Sequence, residues 1–364
     1  MKFSICKSRI LPALQGCVKV IDGKNLLPIL DNLKIIVDNK VLTITASNLE
    51  ITISQSIILE DCDMGQYVAL IDAKKVLSIV KELPNVDIQF TLSEKNIIIS
   101  IPSGNYTLSV LSADEFPILE TVDYLNTFYV DVIPFRDSIA KTIFACANDE
   151  LRPVLNGVSF KYKDESLEFA STDAQKLSSH KLPITGTFND FIISKKSATL
   201  IRDINNYANT QIICNVSDKH FHLNYGNILI SCRLIDGNYP NYHTIIPTNH
   251  LVSTTVNKNV LMSAVKSVSV CSNKNTNLLK LEIGNEMIKI SSEDIDYSVS
   301  AIEVIPCQSS GEITIGLRST YMLEVLSNID SNEIVLNFTE PNKACVITPV
   351  EEDGLYLLMP MILS

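Results

Sequence analysis

The chain has no tryptophan, no Cys-x-x-Cys pair and no long apolar run. Tryptophan is absent and other aromatic side chains are nearly absent from the helices predicted below, so stacking on the bases of single-stranded nucleic acid is a poor fit. Its nine cysteines are scattered singly between Cys6 and Cys345, which predicts reduced thiols in a cytoplasmic protein rather than a disulfide framework or a zinc site. No apolar run approaches the ~18 residues of a membrane span, and the first residues alternate like a strand instead of forming a signal peptide. We therefore expect a cytoplasmic protein with no membrane partner.

Motifs of nucleotide binding and covalent catalysis are also missing. The chain contains no Gly-x-x-x-x-Gly-Lys-Ser/Thr loop, no Gly-x-Gly-x-x-Gly and no Gly-x-Ser-x-Gly elbow. His220 and His222 fall on one side of a predicted strand with no cysteine nearby, which is a weak case for a metal site. His243 follows the Tyr-Pro-Asn-Tyr turn, a position more typical of a surface residue than of a general base. These features predict a protein that is not an enzyme and has no cofactor and no metal ion.

Three repeats of domain size are the strongest positive signal. The segment Leu42–Glu50 returns as Leu167–Gln175 and again as Ile288–Asp296. The turn Leu111–Pro117 likewise returns at Leu234–Pro240. Solenoid units repeat every ~20–50 residues, so a period of ~120 indicates three similar domains, each large enough for its own core.

Helical spacing and strand composition give each third of the chain the same α+β content. Apolar periodicity, with caps at Asp72 and Ser194, predicts six helices over 7–20, 73–83, 134–147, 195–207, 258–270 and 318–328. We expect Pro12 near the first turn of the first helix, where it is tolerated, and Val260 on the apolar face of the fifth. β-branched runs bounded by turn residues fill the intervals, which predicts antiparallel sheets.

Two segments without clear periodicity, 122–127 and 247–254, predict linkers. Together with the repeats, they divide the chain into three predicted domains over 1–124, 125–249 and 250–364.

Opposite charges are segregated between the predicted helices and the rest of the chain. The helices hold 14 basic and 4 acidic side chains, so they carry +10 in a chain whose net charge is −11. Lysine and arginine are good helix formers on any solvated face, and that is one explanation. The other is that the helices line a surface facing a polyanion. Phosphate contacts of lysine and arginine are independent of base sequence, which suits a protein that slides on duplex DNA.

Motifs spread through all three thirds of the chain are shared with one known family. They are Met1–Phe3, Leu27–Leu33, Asp149–Gly157, Thr172–Asp173, Leu234–Tyr242 and Tyr356–Met361. Any one of them has little specificity. Together they keep the order and spacing of the bacterial DNA polymerase III β subunits, the sliding clamps, and the chain resembles this family over its whole length.

The resemblance implies the DNA clamp fold, with three similar α+β domains that each pack two helices on antiparallel sheets. It implies a head-to-tail homodimer that forms a six-domain ring around double-stranded DNA, without regard to sequence. Such a processivity factor has no catalysis of its own and tethers the replicative DNA polymerase. A separate ATP-driven clamp loader and other proteins with clamp-binding motifs would be further partners. The protein would then be located in the cytoplasm, at the nucleoid.

The resemblance also implies a hydrophobic pocket for partner peptides. The family's pocket positions fall on Leu155, Thr172, Leu177, Pro240, Ile245, Tyr321, Leu357, Met359, Pro360 and Met361. Two methionines around a proline suit an adaptable apolar surface.

The chain departs from the family around this pocket. Ala174, Gln175 and Lys176 replace the frequent Gly-His-Arg, and Arg318 stands where Asn is common. Ile362 begins an Ile-Leu-Ser end that replaces the usual Arg-Leu. We expect these departures to change the chemistry of the pocket rim and its peptide preference.

Two further sets of residues concern DNA and the dimer. The family's DNA contacts fall on Lys24, Arg152 and Lys196, and the charge count adds Lys74, Lys75 and Arg136. The family's dimer interface falls on Tyr106 and Leu108 of the first domain and on Val270 and Cys271 of the last. An edge strand with an aromatic side chain gives such an interface backbone pairing and apolar area.

Two other functions compete with the clamp. A β-rich scaffold could bind peptides only, with its helix charges merely solvated. A hydrolase would need a nucleophile constellation, and the sequence contains none that is marked by a motif.

Overall fold

The computed structural model describes residues 1–21, 27–117, 126–204 and 211–363, and these fold into six α-helices and 27 β-strands. The helices are α1 (Lys7–Val18), α2 (Ala73–Glu82), α3 (Val132–Ile143), α4 (Lys195–Arg202), α5 (Lys258–Ser269) and α6 (Ser319–Ser327). Short 3-10 turns lie at Pro28–Asp31, Pro153–Asn156 and Tyr242–Ile245.

The strands up to the middle of the chain are β1 (Lys2–Cys6), β2 (Asn32–Asp38), β3 (Val41–Ser47), β4 (Ile51–Ile58), β5 (Asp61–Cys62), β6 (Gln66–Asp72), β7 (Asp87–Leu92), β8 (Asn96–Ile101), β9 (Gly104–Leu111), β10 (Asn126–Asp131), β11 (Gly157–Lys163), β12 (Ser166–Thr172), β13 (Lys176–Pro183) and β14 (Thr185–Thr187). The later strands are β15 (Phe191–Ser194), β16 (Gln211–Val216), β17 (His220–Tyr225), β18 (Ile228–Arg233), β19 (Val252–Asn257), β20 (Leu278–Ile283), β21 (Met287–Asp294), β22 (Val299–Pro306), β23 (Gln308–Ser309), β24 (Ile313–Arg318), β25 (Glu333–Phe338), β26 (Cys345–Pro349) and β27 (Leu355–Leu358).

All six predicted helices are confirmed, with ends that differ by a few residues. The Asp72 carboxylate accepts a hydrogen bond from the Lys75 N–H at 2.8 Å, and the Ser194 hydroxyl accepts one from the Ser197 N–H at 3.1 Å. Both side chains satisfy amide groups that the first turn of a helix leaves without a partner. The predicted caps are therefore confirmed.

Two details of the helix predictions were wrong. Pro12 is the sixth residue of α1, inside the helix rather than near its first turn, and it lies on the exposed face. Val260 is 41% exposed, because it lies at the edge of the apolar stripe formed by Leu261, Ala264, Val265 and Val268.

The predicted linkers overlap strands. β10 begins at Asn126 and β19 at Val252, within the segments 122–127 and 247–254, while residues 122–125 lie outside the described part. Each strand is six residues long and mixes polar with apolar residues without strict alternation, Asn-Thr-Phe-Tyr-Val-Asp in β10 and Val-Ser-Thr-Thr-Val-Asn in β19, so the pattern is too weak to identify from polarity alone.

The three repeats fold as three equivalent hairpins. Each repeated segment is the first strand of an antiparallel pair, β3 with β4, β12 with β13 and β21 with β22. In the first two hairpins the turn contains a residue in the left-handed region, Leu49 with φ 73° and Ala174 with φ 75°. The repeat in the sequence is therefore a repeat of backbone geometry.

The described chain forms two compact units. The first contains Met1–Ile133, Ile184–Asn189 and Thr199–Leu234, and the second contains Pro134–Pro183, Asp190–Ala198 and Ile235–Ser364. The first is built on a 14-stranded sheet in which β18 pairs with β4. The second has a nine-stranded sheet, in which β27 pairs with β13, and a four-stranded sheet, β22-β21-β20-β24. Strands of the middle third thus extend a sheet in each unit, and the three predicted domain ranges stay a prediction.

The cores consist of helices on antiparallel sheet. In the first unit, α1 and α2 bury Leu14, Val76 and Val80, and the rings of Phe3 and Phe90 stack at 4.8 Å below them. In the second unit, α5 and α6 bury their apolar faces in one large cluster. Burial of this kind stabilises by roughly 25 cal/mol per Å² of apolar surface, so these helix faces contribute to the stability of each unit.

A buried polar network in the second unit lies beside this cluster. The Lys141 ammonium donates to Asp330 at 2.8 Å and to Glu352. Partial burial disfavours its charge, but these hydrogen bonds outweigh burial and raise the pKa of Lys141. Next to it, His180 Nε2 lies 3.1 Å from the Tyr356 hydroxyl, and both side chains are buried.

This network predicts a pH dependence of stability. Burial, with the positive charge of Lys141, lowers the pKa of His180 from 6.5 to about 4, so the unfolded chain binds this proton at higher pH than the folded one. Stability is then complete above pH 6.5 and falls as the pH drops toward 4, by on the order of 3 kcal/mol for this group. His180→Gln should flatten thermal unfolding midpoints measured between pH 7 and 4.5. The exposed His250→Gln is the control, and an unchanged slope in H180Q would contradict the prediction.

Candidate functional site

The floor of the predicted partner pocket is an apolar cluster within the second unit. Leu177 and Leu357 are fully buried and lie opposite each other across the β13–β27 pair. They pack with Tyr242 and neighbouring residues of β12 and β26. Two sequence-distant strands therefore supply the floor, and no local pattern could have paired them.

The tail that follows β27 is held by its backbone. The Met359 N–H donates to the Gln175 carbonyl and the Met361 N–H to the Gly316 carbonyl, both at 2.8 Å. A Cβ on Gly316 would come within 2.7 Å of the Met361 carbonyl oxygen, so only glycine allows this approach. The anchored backbone leaves the Met359 side chain 41% exposed, where a ligand could contact it.

The repeated turn at Leu234–Pro240 positions one side of the site. Gly237 has φ 123°, a conformation that favours glycine, and it packs against Val154, the neighbour of predicted Leu155. The Thr172 N–H donates to the Tyr239 hydroxyl at 2.9 Å, which fixes the turn to the end of β12. Burial raises the pKa of Tyr239, so this hydroxyl stays neutral. Beyond Pro240, the 3-10 turn leaves Ile245 49% exposed.

Lys176, one of the departures from the family, is a buried cation beside this site. Only 7% of its side chain is exposed, and its ammonium contacts Glu324 and lies 3.7 Å from Asp173. It also lies 4.6 Å from the centre of the Tyr321 ring. Its charge is thus compensated internally, and it supports Tyr321 more than it presents a charge to a ligand.

The other departures lie at the rim. Arg318 donates to the Tyr321 hydroxyl at 3.2 Å and lies over the same ring at 5.1 Å. Ile362 is 94% exposed. Ala174 holds a left-handed backbone in place of the family's glycine. The rim of this chain is therefore aromatic and apolar, with one arginine.

The structure gathers the ten predicted pocket residues within one unit. Leu155, Thr172, Leu177 and Leu357 are buried. Tyr321, Pro360 and Met361 are partly buried, while Pro240, Ile245 and Met359 are exposed. Their role as a peptide site stays a prediction.

The predicted DNA contacts that the structure describes lie on three helices and one turn. Lys74 and Lys75 are in the first turn of α2, and Lys75 pairs with Asp72 at 3.3 Å. Arg136 of α3 pairs with Asp137 at 2.6 Å, and Arg152 pairs with Asp149 at 2.8 Å. Lys196 is exposed in the first turn of α4. Lys24 lies outside the described residues.

The charge segregation persists with the observed helix bounds. The six helices hold 12 basic and 3 acidic side chains, a net +9, so the rest of the chain carries −20. Some of these cations have internal roles. Lys7 donates to the Lys81 carbonyl at 2.7 Å, Lys258 donates to the Ile329 carbonyl at 2.7 Å, and Lys141 belongs to the buried network. The remaining cations are the ones available to a polyanion.

The predicted dimer residues lie on or near free sheet edges. Within the described residues, the Gly104–Ser109 part of β9 pairs with β8 only, and it contains Tyr106, 39% exposed, and the buried Leu108. Val270 caps the end of α5 and is 83% exposed, and Cys271 follows it, half-buried.

Sequence reasoning missed a second edge strand. Within the described residues, β22 pairs with β21 alone, and its Val299, Ile302 and Val304 are exposed. The alternation in Val299–Pro306 was the signal that could have found it. Exposed apolar residues on an unpaired strand are typical of a surface that another chain covers.

The histidines that sequence analysis considered do not assemble a catalytic or metal site in the described part of the chain. His220 and His222 lie on β17 with ring centres 6.0 Å apart, and no group of three or more His, Cys, Asp or Glu side chains there could hold a metal ion. His243 Nε2 lies 3.3 Å from the buried Glu168, whose other oxygen accepts from the Ser179 hydroxyl at 3.3 Å. The carboxylate separates serine from histidine, so the imidazole is not placed to activate the hydroxyl. No described helix has the length and apolar character of a membrane span.

Comparison with protein families gives consecutive matches along the chain. The N-terminal domain of the DNA polymerase III beta subunit matches residues 1–120, its central domain matches 130–241 and its C-terminal domain matches 243–362.

Individual relatives agree. A beta sliding clamp of Staphylococcus epidermidis is 26% identical over 310 residues, which cover 84% of this chain and 82% of the relative. That of Pseudomonas aeruginosa is 24% identical over 367 residues, with 99% and 100% covered. Among solved structures, the P. aeruginosa clamp bound to griselimycin superposes with a TM-score of 0.96 at 24% identity, and the Bacillus subtilis clamp with 0.92 at 25%. Each covers 100% of both chains.

The backbone of the site predicts a stabilising substitution. A left-handed backbone conformation costs a residue other than glycine roughly 1–2 kcal/mol, and a glycine at the same position avoids this cost. Glycine in turn loses about 0.5–1 kcal/mol more conformational entropy on folding, because its unfolded backbone is more flexible. Ala174→Gly should therefore raise the free energy of unfolding by about 0.5–1 kcal/mol in denaturant titrations. Ala140→Gly in α3, where the backbone is helical, should lower it by about 1 kcal/mol. Equal destabilisation by the two changes would refute the argument.

Proposed function

The chain belongs to the DNA polymerase III beta subunit family, and we propose that it is a DNA sliding clamp. In this role it encircles duplex DNA and tethers the replicative DNA polymerase, and it has no catalysis of its own. The observation that carries the proposal, beyond family membership, is the net +9 on the helices of a chain whose total charge is −11. A strongly acidic protein needs a surface on which cations are gathered if it is to attract DNA, and cations concentrated on the helices can provide one.

The grip on DNA is electrostatic and topological. Lysine and arginine contacts to phosphates are weak one by one and independent of sequence, so they permit sliding. The candidate contacts are Lys24, Lys74, Lys75, Arg136, Arg152 and Lys196. Of those that the structure describes, Lys74 and Lys196 are exposed, and Lys75, Arg136 and Arg152 pair with partly exposed carboxylates. Both properties support this role, because such ion pairs contribute only about 0–1 kcal/mol and exchange readily for phosphate.

Closure around DNA requires a head-to-tail homodimer, which makes a ring of six domains. The free edge of β9, with Tyr106 and Leu108, would pair with β22 of a second copy. Val270, Cys271 and the exposed apolar residues of β22 would then become buried. Strand pairing across a subunit boundary covers amide and carbonyl groups that otherwise invite aggregation. The domain ranges 1–124, 125–249 and 250–364 are part of this proposal.

The partner pocket receives a short peptide segment. Its buried floor of Leu177 and Leu357 and its exposed Met359 suit hydrophobic anchors, and methionine adapts to different ones. The polymerase, the clamp loader and other proteins with clamp-binding motifs are the proposed users of this one site, on DNA in the nucleoid. Since Lys176 is compensated internally, the pocket should select its peptides by apolar shape more than by charge.

Charge reversal separates the clamp from a scaffold that binds only peptides. We measure the slope of the logarithm of DNA binding against the logarithm of salt concentration. In a variant with Lys74→Glu, Lys75→Glu and Lys196→Glu, the magnitude of this slope should fall by roughly three, about one for each lost phosphate contact. Loading is measured on nicked circular DNA with the loader and polymerase present.

The matched control reverses three exposed lysines outside the helices, Lys95, Lys163 and Lys343, with the same change of net charge. Equal salt dependence in the two triple variants would favour the scaffold, with helix charges that are merely solvated.

The pocket is tested at its exposed methionine. Met359→Ala removes an anchor contact without touching the core, whereas Leu177→Ala would also open a cavity in the fold. We expect M359A to weaken binding of a labelled peptide from the polymerase's clamp-binding segment at least tenfold, about 1.4 kcal/mol, in fluorescence anisotropy. Met64→Ala, at an 80% exposed methionine of the first unit that is not part of the pocket, is the control. Undiminished affinity in M359A would place the peptide site elsewhere.

A further inference from the structure

Glu168 of β12 is a buried carboxylate of the second unit to which the proposed clamp function assigns no role. Its side chain is only 4% exposed, and Oε1 accepts a hydrogen bond from the Ser179 hydroxyl at 3.3 Å. Oε2 is buried and has no hydrogen-bond partner among the described residues. A buried carboxylate oxygen without a partner costs free energy, so a positive charge beside this atom would stabilise the protein.

His243 can supply that positive charge when its ring is protonated. Its Nε2 lies 3.3 Å from Glu168 Oε2, and 39% of its side chain is exposed, so the ring exchanges protons with solvent. The ring also packs on the Tyr242 ring, with centres 4.4 Å apart. A neutral imidazole has one N–H, whereas the protonated ring donates from both nitrogens and carries a charge. Protonation of His243 therefore completes an ion pair with the buried carboxylate.

The other charged and titratable groups around this pair do not change charge near neutral pH. Lys161 of β11 and Lys181 of β13 lie opposite Glu168 on the same face of the sheet, and Lys161 Nζ lies 5.2 Å from the centre of the Tyr242 ring. Burial, and then the charge of Glu168, raises the pKa of Tyr242, and burial raises the pKa of Tyr239 beside it, so both hydroxyls stay neutral. The histidine is thus the member of this cluster that titrates between about pH 5 and 8.

His243 lies in the 3-10 turn that forms one side of the partner pocket. Tyr242, the first residue of the turn, packs in the apolar cluster of the pocket floor, and Ile245, the last, is a predicted pocket residue that is 49% exposed. Among the described residues, the backbone N–H groups of the turn donate only locally, to the carbonyls of Pro240 and Asn241. The contact with Glu168 is therefore the ion pair that ties this turn to the sheet.

We propose that His243 is a positioning residue of the partner pocket, whose protonated ring pairs with Glu168 and holds the turn that carries Ile245. This role rests on the proposed peptide site and adds a regulation to it. A turn held in place lowers the entropy that must be lost when a peptide binds, so the protonated form should bind more tightly. Peptide affinity should then fall as the pH rises through the range in which histidine loses its proton.

The test measures peptide affinity of the full chain by fluorescence anisotropy between about pH 5.5 and 8. The probe is a labelled, acetylated peptide from the polymerase's clamp-binding segment that contains no histidine. We expect affinity to fall at least threefold from the lowest to the highest pH. His243→Gln should bind weakly at both ends of the range. His243→Lys, which keeps a cation beside Glu168, should bind tightly at both.

Two control variants show which group titrates. His250→Gln, at an exposed histidine, should keep the pH dependence of the wild-type protein. M359A should weaken binding at every pH and leave the pH dependence unchanged. Burial, with the positive charge of Lys141, lowers the pKa of His180 to about 4, so that side chain stays neutral across the range.

Three results would overturn the role of His243. They are wild-type affinity that does not change with pH, a pH dependence that H243Q retains, and weak binding of H243K at the highest pH. If M359A weakens binding while any of these is found, the pocket stands and only the role of His243 is refuted. Unaltered affinity in M359A would refute the pocket, and the role of His243 with it. Without any peptide, the Ile245 methyl signals in NMR spectra should shift with pH in the wild-type protein and stay constant in H243Q.

Discussion

Antiparallel pairing between strands of neighbouring repeats is the interaction on which the rest of the structure depends. β18 continues the sheet of β4, and β27 continues the sheet of β13, both as antiparallel pairs. This pairing places Leu177 opposite Leu357 to make the floor of the partner pocket. Among the edges that remain open within the described residues are the Gly104–Ser109 part of β9 and the whole of β22, and the proposed ring joins those two.

One duplicated scaffold supports different chemistry at equivalent positions. Lys141 and His180 belong to a compensated polar network in the second unit, while Gly16 and Gln55, 125 positions earlier in the first, pack a neutral amide against the helix backbone. Such divergence costs little free energy of folding, because the strand pairing is made by backbone groups and does not depend on these side chains. A repeat protein can therefore vary its binding surfaces while the sheets that carry them stay the same.

The sequence was sufficient for the features that depend on local spacing. The caps at Asp72 and Ser194, the six helices and the three hairpins follow from capping chemistry and periodicity, and the structure confirms them. Features made by distant segments could not be derived in this way. The free edge of β22 and the internal compensation of Lys176 by Glu324 depend on which strands and helices meet, and spacing along the chain does not encode this. The pocket residues came from family resemblance alone.

The account rests on topology: a closed ring holds DNA because it surrounds it, while individual phosphate contacts stay weak enough for sliding. The most direct measurement loads the protein on nicked circular DNA, cuts the circle once and follows the bound fraction at moderate salt. The account predicts rapid loss through free ends and retention when bulky groups block both ends. Equal retention with free and blocked ends would show that binding is not topological and would contradict the account.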